Sequence, residues 1–275
     1  MCKVERMESA ITSLRNPRVK AAALLREGKE RRRQGRFPID GARELGRALA
    51  AGIELDEFFV CPAECRSAEA QAVCEQVRGN GATPWIEVSA DVLGKLAFGE
   101  RSEGFVGVAR IPARRLADLP TLPSDALIAV LEGVEKPGNV GAILRTADAA
   151  GVSAVILADP RTDPFNPNTI RASLGTVFSL PLAVASTDET LGWLGERGCR
   201  MFAARVDAQQ LYTEADLRGP TALVLGSEAA GLSPAWRGAA VTGIRLPMLG
   251  VADSLNVSVT AAVLFYEAAR QRASV

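Results

Sequence analysis

The sequence predicts an α/β protein with two domains, and three observations support this fold class. The chain has 275 residues, a length that favours roughly two domains. Short apolar runs alternate with segments of helical periodicity along most of the chain. A stretch with three prolines and poor periodicity, residues 112–125, predicts a linker. We therefore expect a small α/β domain over residues 1–111 and a second domain over residues 126–275, with a mostly parallel sheet covered by helices on both faces.

A basic segment opens the first domain. Between Arg15 and Arg36 lie nine arginine and lysine side chains, opposed by Glu27 and Glu30. A solvated helix face and a surface that contacts RNA phosphates explain such a run about equally well. On the second interpretation, the candidate RNA contacts are Arg15, Arg18, Lys20, Arg31, Arg32 and Arg33.

The rest of the first domain alternates between strands and helices. The predicted strands cover residues 37–40, 55–60, 84–88 and 105–111, and the predicted helices cover residues 41–51, 67–78 and 91–98. This spacing predicts a compact α/β sandwich.

The second domain repeats this pattern with more apolar strands. Residues 127–131 form a continuous apolar run, which is typical of a parallel strand covered on both faces. Further strands are predicted at residues 155–157, 182–184, 201–205, 222–225 and 244–246, and helices at residues 139–150 and 254–270. The last helix carries apolar residues roughly on one side: Leu255, Val259, Ala262, Val263 and Tyr266.

The composition excludes several classes of protein. Lys+Arg and Asp+Glu both number 32, so any attraction for nucleic acid must be local. Five cysteines without a histidine predict reduced thiols rather than a metal site or a disulfide framework. The N-terminus lacks the apolar core of a signal peptide and no run is long enough to span a bilayer, so we expect a cytoplasmic protein. Without histidine, the usual base near neutral pH is missing.

Three loops follow predicted strands, at the edge where open α/β sheets place ligands. In the first loop, Gly138 and Gly141 flank Asn139 at a predicted helix start. The glycine pattern is not a dinucleotide-binding fingerprint. A glycine-rich turn in which Asn139 caps the helix is the simpler interpretation. The second places Glu228 between glycines, where it also fits the favourable end of a helix dipole. In the third, Ser254 or Asn256 begins a helix, and the simpler interpretation of Ser254 is that it serves partly as the N-cap.

In combination, these loops resemble one family. The ordered patterns Asn139-x-Gly-x-x-x-Arg145, Gly226-Ser-Glu-x-x-Gly231, and Leu246-Pro-Met followed by Ser254-Leu-Asn-Val-Ser258 are similar to the motifs of the SpoU/TrmH branch of the SPOUT-class RNA 2′-O-ribose methyltransferases. Residues 171–181 resemble the stretch between the first two motifs. Residues 16–20, 37–41 and 105–109 resemble the ribosomal-protein-like substrate-binding domain often fused to this catalytic domain.

The resemblance implies a deep trefoil knot, a homodimer, and methyl transfer from S-adenosylmethionine to a ribose 2′-hydroxyl of structured RNA. The implied cofactor-binding residues are Gly226, Leu246, Leu255, Met248 and Ala203. The implied catalytic residue is Arg145, as a base or as an electrostatic clamp on phosphate and developing alkoxide. The implied supporting residues are Asn139, Glu228, Ser254 and Asn256.

The resemblance leaves the RNA open. Large-subunit rRNA is favoured over tRNA because of the appended domain, and residues 96–101 with residues 107–112 are also similar to the thiostrepton-resistance methyltransferases, which act on rRNA. A non-catalytic RNA-binding protein that kept the fold is a second alternative, and a nicotinamide-binding Rossmann enzyme is a distant third.

Overall fold

The computed structural model describes residues 10–98 and 103–273. Cys2 and the last three residues of the 96–101 segment lie outside the described residues. The chain divides into two compact units. Unit 1 contains Met1–Pro112 and Phe165–Ile170, and unit 2 contains Ala113–Pro164 and Arg171–Val275. Within the described residues, no helix combines the length and the hydropathy needed to cross a membrane.

Unit 1 is built on a four-stranded sheet of order β1-β4-β2-β3, in which only β2 and β3 are parallel. Its strands are β1 (Arg36–Asp40), β2 (Leu55–Val60), β3 (Trp85–Glu87) and β4 (Phe105–Arg110). Its helices are α1 (Pro17–Leu24), α2 (Gly28–Gln34), α3 (Ala42–Ala50), α4 (Ala68–Asn80) and α5 (Ala90–Leu96). The four predicted strands and three predicted helices are confirmed, with shifts of a few residues at their ends.

A short segment from the second half of the sequence completes the core of unit 1. Phe165 is 2% exposed, and its ring stacks on Phe37 of β1 with 4.5 Å between ring centroids. The same segment buries Ile170. Nothing in the local periodicity of residues 165–170 indicates that they belong to unit 1. The contact between Phe165 and Phe37 is set by the fold and not by neighbours in sequence.

Unit 2 is built on a seven-stranded sheet of order β7-β6-β5-β10-β8-β11-β9 in which every pair is parallel. The strands are β5 (Leu127–Glu132), β6 (Ala154–Ala158), β7 (Leu182–Ala185), β8 (Arg200–Ala204), β9 (Gln210–Leu211), β10 (Thr221–Leu225) and β11 (Val241–Arg245). Every residue of β5, β6 and β10 is buried, so both faces of the central sheet are covered. The predicted parallel α/β fold is confirmed.

The helices of unit 2 are α6 (Pro137–Ala149), α7 (Pro167–Ala172, which begins within the segment that belongs to unit 1), α8 (Thr176–Ser179), α9 (Thr187–Glu196) and α10 (Val257–Ala273). Helix α6 packs against α8 and α10, and α9 packs against β6. Helices α7, α8 and α9 and strand β9 were not anticipated from the sequence. They are short or lack a clear apolar period, so tertiary packing decides them.

The predicted linker is ordered against unit 2. The backbone N–H of Val184 in β7 donates to the carbonyl of Arg114 at 2.6 Å. Leu116, Leu119 and Leu122 pack against the core of unit 2. The prolines therefore interrupt regular secondary structure in this stretch, but the stretch still packs against unit 2.

Candidate active site

The three loops singled out in the sequence meet at the carboxyl edge of the parallel sheet. The side-chain amide of Asn139 in α6 donates to Oε1 of Glu228, in the loop after β10, at 2.6 Å. The amide of Asn256, just before α10, donates to Oδ1 of Asn139 at 3.3 Å. Side chains from three segments that lie far apart in the sequence thus form one hydrogen-bonded chain.

Glu228 caps the start of α6. Lys136, the residue before the helix, provides no side-chain cap. Oε2 of Glu228 accepts instead from the backbone N–H of Glu135 at 3.2 Å, where the helix dipole also favours a negative charge. Partial burial raises the pKa of Glu228, but hydrogen bonds from the Asn139 side chain and from backbone N–H groups outweigh it, so the pKa lies below its ordinary value. Glu228 is therefore ionised at neutral pH.

Asn256 caps α10, which corrects the expectation for Ser254. Oδ1 of Asn256 accepts from the backbone N–H of Ser258 at 2.9 Å and from its hydroxyl at 2.6 Å. The helix begins at Val257, three residues after Ser254. Ser254 itself lies in the exposed loop. Of the two helix starts that the sequence left open, the structure selects Asn256; serine and asparagine are comparable N-caps, so the sequence alone did not distinguish them.

Gly226 allows two segments of backbone to approach each other closely. A Cβ atom at this position would lie 2.3 Å from the carbonyl carbon of Gly231 and 2.5 Å from the backbone nitrogen of Leu232. Ser227 and Gly231 exchange backbone hydrogen bonds of 3.1 and 3.0 Å across the same turn. Closure of the loop therefore requires a glycine here, whatever else the loop binds.

The expected cofactor-binding residues differ in how far their side chains are exposed. Leu246 and Met248, after β11, are half-buried, and Leu255 is 39% exposed. Each leaves apolar surface partly uncovered in the segment between β11 and α10, which is the kind of surface that the adenosine part of S-adenosylmethionine needs. Ala203 does not fit this role. Its side chain is 0% exposed and lies in the core cluster of unit 2, because position 203 falls inside β8 rather than at its end.

Arg145 is available for a substrate anion. It lies on α6, about 9 Å along the helix axis from Asn139 at roughly 1.5 Å per residue. Its side chain is exposed, and no ion pair involves it among residues 10–98 and 103–273. A guanidinium without a carboxylate partner suits recognition of a phosphate.

Two further residues near these loops were not singled out by the sequence. Glu132, at the end of β5, is 7% exposed, and its carboxylate accepts from Thr187 and Ser233. Arg161, in the loop after β6, forms an ion pair of 2.6 Å with Glu135. A charged residue that ends or follows a continuous apolar strand is the signal that could have identified both.

The basic residues of the N-terminal segment fall into three groups. Arg15, Lys20 and Arg32 are exposed. Arg18 forms an ion pair with Glu57 at 2.8 Å, and Arg33 forms one with Glu30 at 2.6 Å. Arg31 contradicts the expectation of an RNA contact. It is 1% exposed, and its guanidinium donates to the carbonyls of Leu25 and Arg26 at 2.9 and 2.8 Å, so it ties α2 to the end of α1.

The cysteines within the described part of the chain are free thiols. Cys65 and Cys74 lie with their sulfur atoms 3.6 Å apart. Burial, together with the contact to Cys74, raises the pKa of Cys65 to about 12, and burial also raises the pKa of Cys74. Thiols with a raised pKa carry little thiolate at neutral pH and are poor nucleophiles.

Comparison with known proteins agrees with this site. Residues 126–266 match the SpoU rRNA Methylase family, and residues 16–107 match the MRM3-like substrate binding domain. The 23S rRNA (uridine(2479)-2′-O)-methyltransferase of Streptomyces viridochromogenes is 34% identical over 262 residues, which cover 92% of this chain and 88% of that protein.

Solved structures give the same result. A crystal structure of an RNA 2′-O ribose methyltransferase is 46% identical, with a TM-score of 0.80 over 95% of this chain and 98% of that one. The AdoMet-bound rRNA methyltransferase from Sinorhizobium meliloti is 30% identical, with a TM-score of 0.85 over 95% of this chain and 97% of that one. The ordered loops, the parallel sheet and these matches establish that the chain belongs to the SpoU rRNA methylase family.

Proposed function

We propose that the protein transfers a methyl group from S-adenosylmethionine to a ribose 2′-hydroxyl of large-subunit rRNA. The observation that carries this proposal is the chain of hydrogen bonds through Glu228, Asn139 and Asn256. Helix α6, which carries Asn139, also carries the exposed Arg145, which forms no ion pair within the described residues. Membership of the SpoU family gives the reaction, and the relative from Streptomyces viridochromogenes is named for methylation of 23S rRNA.

The residues that would hold the cofactor are the half-buried Leu246 and Met248, together with Leu255 and backbone groups of the loop that starts at Gly226. When bound, S-adenosylmethionine supplies a methyl group on a positively charged sulfur. Apolar surface with a few backbone hydrogen bonds holds an adenosine and excludes water from the reacting atoms.

Arg145 acts in this proposal as an electrostatic clamp. A guanidinium stays protonated in proteins, with a pKa above about 12, so it is a poor proton acceptor. A fixed cation instead binds the RNA phosphate and stabilises the negative charge that develops on the ribose oxygen. The proton of the hydroxyl then passes to water or phosphate. The alternative, Arg145 as the base, requires a neutral guanidinium.

Glu228 serves to hold the site in place in this proposal and does not accept the proton. Both of its oxygens accept hydrogen bonds, and its pKa is lowered, which makes it a weak base at neutral pH. Asn139 and Asn256 place amide groups next to it, where they can orient RNA. Ser254, in the exposed loop beside them, is a further candidate for an RNA contact.

The N-terminal unit binds RNA in this proposal. Its match to the MRM3-like substrate binding domain supports a substrate-binding role, and the exposed Arg15, Lys20 and Arg32 supply phosphate contacts. The paired Arg18 and Arg33 can contribute once RNA competes with their glutamate partners. The alternative substrate is tRNA.

We infer further that the protein is a cytoplasmic homodimer with the trefoil knot typical of SPOUT enzymes. Three apolar side chains on and before α10 remain exposed, namely Leu255, Val259 and Tyr266. The opposite side of α10 is buried in unit 2 through Ala261, Leu264 and Phe265. An uncovered apolar strip beside the site fits an interface between two copies. A purely monomeric protein at micromolar concentration in sedimentation would contradict this part.

The proposal is tested by incubating the protein with labelled S-adenosylmethionine and either large-subunit rRNA or tRNA, and mapping the methylated ribose. We expect incorporation at one ribose of rRNA. Incorporation into tRNA alone would favour the alternative substrate. A protein that binds RNA but gives no heat with S-adenosylmethionine in calorimetry would be the non-catalytic RNA-binding alternative.

A further inference from the structure

Glu132 is a buried carboxylate with three hydrogen bonds and a position at the centre of unit 2. Oε1 accepts from the hydroxyl of Thr187 at 2.9 Å and from the hydroxyl of Ser233 at 2.7 Å. Oε2 accepts from the backbone N–H of Ser233 at 2.7 Å. A carboxylate removed from water is costly unless it is well bonded. Among the described ion pairs none involves Glu132, so the described hydrogen bonds to its carboxylate come from neutral donors.

These bonds join three segments that are remote in sequence. Glu132 ends β5, Thr187 begins α9, and Ser233 ends the loop that follows β10. Strands β5 and β10 are direct neighbours in the parallel sheet, so Glu132 lies beside the strand from which the loop starts. The carboxylate thus fixes the end of the loop to the sheet on which the loop begins.

The loop at residues 226–233, hereafter the Glu228 arch, is held at both ends. Near its start, Ser227 and Gly231 exchange two backbone hydrogen bonds, and Gly226 packs against the backbone of Gly231. At its end, Ser233 is bound twice by Glu132. Glu228 stands between these anchors and reaches Asn139. A short loop with both ends fixed holds its middle in one geometry.

We propose that Glu132 is a positioning residue for methyl transfer: it anchors the Glu228 arch, and through it orients Glu228, Asn139 and the cofactor-facing backbone at Gly226. This inference rests on the proposed function, since it assumes that the arch borders the bound cofactor. It assigns Glu132 no contact with substrate or cofactor.

The three partners of Glu132 differ in what they can do. The backbone N–H of Ser233 can only donate, whereas the hydroxyls of Thr187 and Ser233 can donate or accept. A glutamine at position 132 can therefore keep its carbonyl on the Ser233 N–H and turn its NH₂ group toward the two hydroxyls, so it is a weak test of the anchor. An alanine at this position removes all three hydrogen bonds.

The test compares Glu132→Ala and Ser233→Ala with Glu189→Ala as a matched control. Glu189 accepts from Ser186 in the capping box at the start of α9 and makes no hydrogen bond to Glu132. Its replacement therefore destabilises the same part of unit 2 while leaving the arch anchored. Three quantities are measured on the full chain: hydrogen exchange at the amides of Ser227 and Gly231, affinity for S-adenosylmethionine by calorimetry, and kcat at saturating cofactor.

We expect Glu132→Ala to speed exchange at both amides at least tenfold and to weaken cofactor binding at least tenfold. At saturating cofactor, kcat should return to within about threefold, since Glu132 acts on loop geometry and not on the reacting atoms. Ser233→Ala, which keeps the backbone bond, should show smaller changes in the same direction. Glu189→Ala should lower Tm and leave exchange in the arch and cofactor affinity within twofold of the parent.

Cofactor affinity that follows Tm alone across the three variants would overturn the inference, as would unchanged exchange in the arch of Glu132→Ala. If Glu132→Ala does not fold, Ser233→Ala against Glu189→Ala makes the same comparison. A parent protein that does not bind S-adenosylmethionine would instead contradict the proposed function. Binding by the parent with unchanged binding by Glu132→Ala would refute only the positioning role.

Discussion

Replacing Gly226 with alanine should destabilise unit 2 strongly, for reasons of space alone. The added Cβ would lie 2.3 and 2.5 Å from the carbonyl carbon and oxygen of Gly231 and 2.5 Å from the nitrogen of Leu232. All three are backbone atoms, so no flexible side chain can move aside. The turn must open, and the two backbone hydrogen bonds between Ser227 and Gly231 are lost or lengthened.

The expected loss follows from these two effects. Two backbone hydrogen bonds contribute together roughly 1–3 kcal/mol. Forcing a methyl group into filled space adds roughly 1–3 kcal/mol of strain when neighbours can relax only in part. We therefore expect the free energy of unfolding to fall by about 2–6 kcal/mol, measured by urea denaturation with the m-value compared between variants.

Gly192→Ala is the matched control. Gly192 lies within α9, and a Cβ there would meet no atom within 4 Å. Alanine in a helix interior should stabilise the protein by about 0.5–1 kcal/mol. The same substitution should therefore lower the free energy of unfolding at Gly226 and raise it at Gly192. A Gly226→Ala variant as stable as the parent would refute the close backbone approach on which the site argument depends.

Arg145→Ala should lower kcat/KM by at least a hundredfold, or about 2.7 kcal/mol, with Arg145→Lys in between; near-normal turnover in both would contradict any role in methyl transfer. Arg31→Ala should lower the free energy of unfolding by about 2–4 kcal/mol, because the carbonyls of Leu25 and Arg26 lose their donor. Arg32→Ala should change the free energy of unfolding by no more than about 0.5 kcal/mol and should weaken RNA binding in a salt-dependent way. Equal stability of these two variants would be inconsistent with buried Arg31. Phe165→Ala should destabilise unit 1 by about 3–5 kcal/mol in chemical denaturation, and an unaffected unit 1 would argue against its stacking on Phe37. Because hydrogen bonds hold the folded-state pKa of Glu228 below its ordinary value, its stabilising contribution should be complete above that ordinary value and be lost as pH falls through the lowered pKa. Glu228→Gln should remove this part of the pH dependence of Tm, and an unchanged acid profile would contradict the lowered pKa.

The elements with strong periodicity were predictable, and the contacts between them were not. The apolar run of β5 and the alternation of strands with helices in both halves gave the fold class, because burial of a strand on both faces demands apolar residues at every position. Helices α7 and α8 were not predicted, since they are too short to show a period.

The candidate site was predictable in its parts. Glycines around Asn139 and Glu228 and the polar run through Asn256 marked three loops after strands, and the structure joins those three side chains by hydrogen bonds. The burial of individual side chains could not be inferred in the same way. Arg31 belongs to a basic run in the sequence, yet its side chain is buried and bonds the carbonyl of Leu25 at the end of α1. Ala203 likewise lies in the core of the sheet.

The sequence by itself determined the α/β class and the ordered motifs of the family, because these depend on periodicity and local residue order. Only the tertiary structure decided which residues anchor the motifs. Glu132 reaches Ser233 across 101 positions of sequence, and Phe165 stacks on Phe37 in the core of unit 1. Such pairings depend on how the strands are ordered in space, and residues adjacent in a parallel sheet carry no sign of their partners in local sequence.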